Sequence, residues 1–84
     1  MTASITEASA NALAGMAERN RKRAACLRRE AEGQLPSIHE LSYAGQKMAA
    51  NRISKQVNRA FRHADSLMRS AAKLEEKASR SKQP

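Results

Sequence analysis

The most regular feature of the sequence is an apolar stripe in its second half. Apolar residues recur there at alternating spacings of four and three residues, at Ile53, Val57, Ala60, Ala64, Leu67, Ala71, Leu74 and Ala78. Because an α-helix has 3.6 residues per turn, these positions fall on one face. The pattern predicts a helix over residues 43–79, roughly 55 Å long at 1.5 Å per residue, with a frayed tail at 81–84.

The first half of the chain contains a second stripe with smaller side chains. Its members are Ile5, Ala8, Ala12, Leu13, Met16, Ala17, Ala24, Leu27 and Ala31. Ser4 and Glu7 have the spacing of a capping box at a helix start, and Gly33 is suited to cap a helix end. A first helix is therefore predicted over residues 5–32. Asn20 falls inside this stripe, where it either fixes the register of a buried face or lies at the edge of that face.

The segment between the two stripes, residues 33–42, predicts a connection. Pro36 cannot donate the hydrogen bond that continues a helix, and Ser37 with Glu40 repeats the capping-box spacing, which leaves room for a short third helix. We expect an all-α fold, an antiparallel helical hairpin that forms a single domain over residues 1–80. Two such hairpins could associate into a four-helix bundle.

The apolar residues are small, and this bears on the predicted assembly. Half of them are Ala, with a single Phe and a single Tyr in 84 residues, so one hairpin would have a thin core. A second copy would supply the missing apolar contact. We therefore predict a homodimer whose interface is built from Phe61, Leu67, Met68 and Leu74.

The net charge of +8 predicts an acidic partner. Nucleic acid, an anionic membrane and an acidic protein surface all fit, but the stripe lacks the Trp and Phe residues that anchor helices in membranes, so we expect no membrane binding. One Cys excludes an internal disulfide, and the N-terminal sequence does not resemble a secretion signal. These features favour a cytoplasmic location.

The positive charge is concentrated in residues 19–64, which sum to +8, while residues 1–18 sum to −2 and residues 65–84 to +2. In a hairpin whose connection lies at 33–42, the basic residues of both helices would gather at the connected end. The predicted binding residues for nucleic acid or an acidic partner are Arg19, Arg21, Lys22, Arg23, Arg28, Arg29, Lys47, Arg52, Lys55, Arg59 and Arg62.

Three interpretations of this basic region remain open. It could bind nucleic acid through phosphate contacts, dock on an acidic surface of a host enzyme or defence nuclease, or simply solvate the outer helix faces. The segment RNRKRAACLRRE resembles the basic region of a leucine zipper only superficially. In such proteins, an Asn is followed three residues later by Ala and seven residues later by Ser or Cys, all facing the major groove. Counting from Asn20, these two positions hold Arg23 and Leu27.

Candidate catalytic and metal-binding groups are sparse. His39 and His63 lie 24 residues apart with no Cys or carboxylate at metal-ligand spacing, and Cys26 has no histidine near it in the sequence. We therefore expect no enzymatic activity, no cofactor and no bound metal.

Residues 33–78 resemble the C-terminal helical part of an uncharacterised domain family of plasmids and phages. The likeness rests on a Gly-Gln-Pro turn, a His-containing basic helix and a Leu-Glu-x-x-Ala segment, here Gly33, Gln34, Pro36, His39, Arg52, Ile53, Phe61, Leu74, Glu75 and Ala78. Leu35 is inserted before the proline, and the family's paired histidines are missing. The resemblance implies an accessory protein of a mobile element. In architecture alone, the predicted hairpin is similar to the Rop family of plasmid proteins, dimeric four-helix bundles that bind paired RNA loops.

Overall fold

Two long helices packed side by side make up the fold. The computed structural model describes residues 2–82, with side chains described over 8–80. Helix α1 spans Thr2–Tyr43 and helix α2 spans Lys47–Lys82. They form a rod of 66 × 13 × 12 Å. The prediction of an all-α helical hairpin is thereby confirmed.

The contact between the helices is built on small residues spaced by seven. The buried residues are Ala10, Ala17, Ala24 and Ala31 of α1, and Ala50, Val57, Ala64, Ala71 and Ala78 of α2. We call these nine residues the alanine column. A seven-residue repeat keeps one line of side chains facing a partner helix, and methyl groups allow the two backbones to approach closely. Within the described part of the chain, no large side chain is fully buried, so the core is as thin as the composition predicts.

Polar contacts distinguish the two long flanks beside the alanine column. On one flank Arg21 pairs with Glu75, and Arg28 pairs with Asp65 at 2.8 Å. We call it the ion-pair flank. We call the opposite flank the leucine flank. Its half-buried apolar residues lie three positions after a column residue, and Leu41 lies three positions after Ile38, which continues the α1 repeat. These residues are Leu13, Leu27, Leu41, Ile53, Leu67 and Leu74.

Asn20 lies on the leucine flank, half-buried, and its side-chain amide donates to Ser70 Oγ at 3.4 Å. It therefore occupies the edge of the buried face, in line with Leu13 and Leu27. This is the second of the two positions that the sequence left open for it.

The helix boundaries differ from those predicted. Helix α1 does not end at 32 but continues through Gly33 and Pro36 to Tyr43, and the predicted connection at 33–42 is helical. Helix α2 begins at Lys47, not at 43, and extends to Lys82, past the predicted end at 79 and into the predicted tail. Residues 83 and 84 of that tail lie outside the described residues. Helix α1 also begins before Ser4, and the side chains of the predicted capping box lie outside the described part.

The position of Pro36 on the helix explains why it does not end α1. Gly33 and Pro36 lie two and five positions after Ala31, on the outer face of α1, which points away from α2. The missing proline N–H deprives the carbonyl of Glu32 of its helical partner, but Glu32 and Pro36 are both exposed. Water can bond to such a carbonyl, and a helix can bend slightly at its solvent side to relieve the clash with the ring.

The chain reverses direction at Gly45, in a turn of three residues. The amide of Gly45 donates to the carbonyl of Ser42 at 3.1 Å, and the amide of Gln46 donates to that of Leu41 at 2.9 Å. This pair of bonds is the Schellman motif, which places its glycine in the left-handed region, and Gly45 has a φ of 82°. The carbonyl of Gln46 then accepts the amide of Ala50 at 3.0 Å, which starts α2.

Candidate nucleic-acid interface

The outer face of α2 presents a line of cations along most of its length. These residues lie two or five positions after a column residue, so they point away from α1. All of them are exposed. We call this set the basic ridge: Arg52, Lys55, Arg59, Arg62, Arg69, Lys73 and Arg80. It is interrupted by Ser66 and Glu76, and it spans about 42 Å at 1.5 Å per residue.

Most cations of the basic ridge form no ion pair with a carboxylate of the described residues. Arg80 pairs with Glu76 at 2.6 Å, and the Arg62 guanidinium donates to the carbonyl of Asn58 at 3.4 Å. Among the residues that the structure describes, none of the six ridge cations from Arg52 to Lys73 forms an ion pair with a carboxylate. Their charge is therefore available to a ligand.

The sequence predicted only part of this ridge. Arg52, Lys55, Arg59 and Arg62 belong to the predicted binding residues, whereas Arg69 and Lys73 do not. Arg69 and Lys73 continue the spacing of three, four and seven residues that keeps the ridge on one helix face. The sequence prediction compared the net charge of chain segments, and net charge does not show which face of a helix a residue is on.

The basic residues of α1 lie elsewhere than predicted. With the turn at Gly45, Arg21 contacts Glu75 and Arg28 contacts Asp65, so this part of α1 is level with the distal half of α2. The prediction that Arg19–Arg29 lie beside Lys47–Arg62 is wrong, and the cations do not gather at one end of the hairpin. The physical reason is the shift of the turn from 33–42 to 44–46, which slides α1 along α2.

Several α1 cations are also partly neutralised. Arg21 and Arg28 have carboxylate partners on α2, and Lys22 lies 3.7 Å from Glu18 within its own helix. Arg19 and Arg29 are exposed on the outer face but lie ten residues apart, and Arg23 is exposed at the border of the leucine flank. The outer face of α1 therefore offers no line of cations comparable to the basic ridge.

The two helices also differ in charge near the turn. Residues 47–64 of α2 contain five cations and no acidic residue, whereas residues 30–43 of α1 contain three Glu and no cation. Lys47, the remaining predicted binding residue of α2, is exposed in the first turn of that helix. The positive charge near the turn is therefore carried by α2.

The predicted dimer-interface residues do not form one patch. Phe61 and Met68 lie in line with Glu75, at seven-residue spacing, and so belong to the ion-pair flank. Leu67 and Leu74 belong to the leucine flank, on the other side of Ala64 and Ala71. Helix α1 packs between the two pairs, so a single flat partner cannot cover all four.

Groups with catalytic or metal-binding chemistry are dispersed. Cys26 is exposed, and its thiol contacts Glu30 Oε1 at 3.8 Å. His39 and His63 are exposed on different helices. No group of three or more His, Cys, Asp or Glu that could hold a metal ion occurs in the part of the chain that the structure describes.

Neither helix, over the described residues, has the length of apolar sequence that crossing a bilayer requires. Comparison of the chain with models of protein families, with curated proteins and with solved structures finds no match. The resemblance of residues 33–78 to a plasmid and phage family remains a prediction from the sequence.

Proposed function

We propose that this protein binds double-stranded nucleic acid through the basic ridge, by phosphate contacts and without strong sequence selection. The observation that supports the proposal is the set of six exposed cations without carboxylate partners, all on one face of α2. From Arg52 to Lys73 they span roughly 32 Å at 1.5 Å per residue. Duplex DNA carries one negative charge per ~1.7 Å of its axis, so a straight rod of this length meets many phosphates.

The arrangement of the ridge also argues against a merely solvated surface. Cations three and four positions apart on a helix repel each other and destabilise it by about 0.2–0.5 kcal/mol per pair. Arg52, Lys55, Arg59 and Arg62 form consecutive pairs of this kind. An anionic ligand would remove that repulsion.

A duplex fits the ridge better than a single strand. Proteins that bind single strands stack bases on aromatic side chains, and the chain has only Tyr43 and Phe61. Phe61 is half-buried on the ion-pair flank, and Tyr43 stands alone at the end of α1 with 98% of its surface exposed. Neither is part of the ridge.

The proposed binding unit is a homodimer. Among the described side chains of one hairpin, the buried residues are eight Ala and one Val, which is little apolar surface for a rod 66 Å long. The half-buried leucines of one flank would gain most from a second copy.

The test is a titration of a duplex of about 20 base pairs at several salt concentrations. Six phosphate contacts predict that log K falls with log[salt] with a slope of about −5 or steeper. The variant Arg59→Gln/Arg62→Gln removes two ridge charges, so its slope should be shallower by about 2 for each ridge engaged. The control variant Arg21→Gln/Arg28→Gln removes the same charge from residues that already have carboxylate partners, and it should keep the slope.

Absence of binding at low salt, or an equal effect of the two variants, would contradict the proposal. The alternative is that the ridge docks on an acidic protein surface. A partner that the protein retains from a nuclease-treated lysate, and that the Arg59→Gln/Arg62→Gln variant loses, together with no affinity for the duplex, would establish that alternative instead.

A further inference from the structure

The leucine flank of α1 has a symmetric pattern that matches a second copy of itself. The residues in line on this flank are Leu13, Asn20, Leu27, Gln34 and Leu41, at intervals of seven. The order is apolar, amide, apolar, amide, apolar, so it is the same in both directions. When two such lines run antiparallel with Leu27 opposite Leu27, leucine meets leucine at the ends and Asn20 meets Gln34.

The adjacent line of charged residues obeys the same symmetry. Arg23 and Glu30 each lie one position before a column residue, at the border of the leucine flank, and both are exposed. Neither forms an ion pair with any residue that the structure describes. In the antiparallel arrangement centred near Leu27, Arg23 of each copy comes level with Glu30 of the other, within one residue. The flank is therefore complementary to itself in charge as well as in polarity.

We propose that the leucine flank is the surface on which two copies of this chain dimerise, with α1 antiparallel to α1 of the other copy and Leu27 at the two-fold axis. This deepens the homodimer of the proposed function. With Leu27 opposite Leu27, residues 11–43 of α1 overlap over about 48 Å at 1.5 Å per residue, and on a rod 13 Å wide this gives an area on the order of the ~800 Å² per partner of a standard interface. The ion-pair flank is a poorer candidate, because its Arg21 and Arg28 already have partners within the hairpin.

The orientation of the two copies decides where the basic ridges lie. A two-fold axis that crosses the helices at Leu27 stacks α1 on α1 and α2 on α2. The two outer faces of α2 then point in the same direction, so both ridges lie side by side on one surface of the dimer. An axis parallel to the helices would instead stack α1 on α2 and send the ridges to opposite sides. It would also place Asn20 against leucines of α2 instead of against Gln34, so its amide would keep only its partner Ser70 of the same copy.

The orientation is tested by charge reversal with rescue. Arg23→Glu alone and Glu30→Arg alone each place like charges together twice in the symmetric dimer, and each should raise the dimer dissociation constant at least about tenfold. The double variant Arg23→Glu/Glu30→Arg restores opposite charges and should restore the dimer. Arg29→Glu is the matched control, because it makes the same charge change on the outer face of α1 and should leave the dissociation constant unchanged. Sedimentation equilibrium measures all four.

A cysteine cross-link tests the position of the axis. In a Cys26→Ser background, Leu27→Cys should form a disulfide-linked dimer on mild oxidation, since identical residues meet only at the two-fold axis. Phe61→Cys, on the opposite flank, should not. A dimer that cross-links through Phe61→Cys and ignores the charge reversals would overturn this inference and leave a homodimer in place. A chain that sediments as a monomer at tens of micromolar would overturn both, and duplex binding would still be judged by its own titration.

Discussion

Two segments of this chain have the sequence of a helix break, and only one of them is a break. Gly33 and Pro36 fall within α1, on its outer face, and the helix continues through them. Gly45 has the left-handed backbone and the hydrogen-bonding pattern that end α1. The comparison shows that a proline interrupts a helix when its ring or its missing hydrogen bond meets packed structure. A turn needs in addition a residue that tolerates a positive φ, at a point where the buried repeat of one helix stops.

Among the substitutions that test this comparison, Pro36→Ala should change the free energy of unfolding the most. Proline is about 3 kcal/mol less favourable than alanine inside a helix, and part of that difference is offset because proline also restricts the unfolded chain. We expect Pro36→Ala to stabilise the hairpin by about 2 kcal/mol, visible in thermal unfolding followed by circular dichroism at a fixed protein concentration. If residues 33–42 were a connection in solution, the substitution would instead leave stability unchanged or lower it.

The glycines of the two segments should respond in opposite directions. At Gly45 an added side chain meets a φ of 82°, so Gly45→Ala should destabilise the fold by about 1–2 kcal/mol. At Gly33 the backbone is helical and no atom lies within 4 Å of an added Cβ. Gly33→Ala should therefore stabilise the fold by about 0.5–1 kcal/mol. Urea denaturation of the two variants measures both, and changes of the same sign would contradict the position of the turn.

The smallest expected effect is the coupling energy between Arg28 and Asp65, which tests how the turn aligns α1 with α2. Arg28 lies beside Asp65 only because the chain reverses at Gly45. Both side chains are about half exposed, so a double-mutant cycle of Arg28→Ala and Asp65→Ala should give a coupling energy of about 0.2–1 kcal/mol, which decreases with salt. The same cycle with Arg29→Ala, on the outer face, should give none. A register set by a connection at 33–42 would abolish the first coupling as well.

The sequence was sufficient to predict the hairpin and most of α2, because the apolar positions of α2 repeat without interruption up to Ala78. The end of α1 was predicted wrongly because a proline ordinarily ends a helix, whereas here the apolar repeat continues beyond it. The spacing of seven that runs through Ala24 and Ala31 continues to Ile38, beyond the proline. It does not continue in phase to Ala50, and this loss of phase was the available signal for the turn.

The candidate site was predicted in part, for a related reason. Which cations lie on one face of α2 follows from helix geometry alone, so Arg69 and Lys73 could have been included. The position of the turn decides which residues of α2 lie beside the cations of α1. Because the turn was predicted in the wrong place, the predicted placement of Arg19–Arg29 was wrong as well. The pairs of Arg21 and Arg28 with α2 carboxylates depend on that register too.

The alanine column determines how this protein responds to mutation. In most protein cores, replacing a large side chain with a smaller one lowers stability, because it leaves a cavity. Among the side chains that the structure describes, eight of the nine buried ones are already single methyl groups, so truncation can remove almost nothing beyond the ~1 kcal/mol that glycine costs a helix. Enlargement is the harmful change, because any bulkier residue forces the two backbones apart along the rod. Sequences that share this fold would therefore be recognised by the small size of every seventh residue more than by its hydrophobicity.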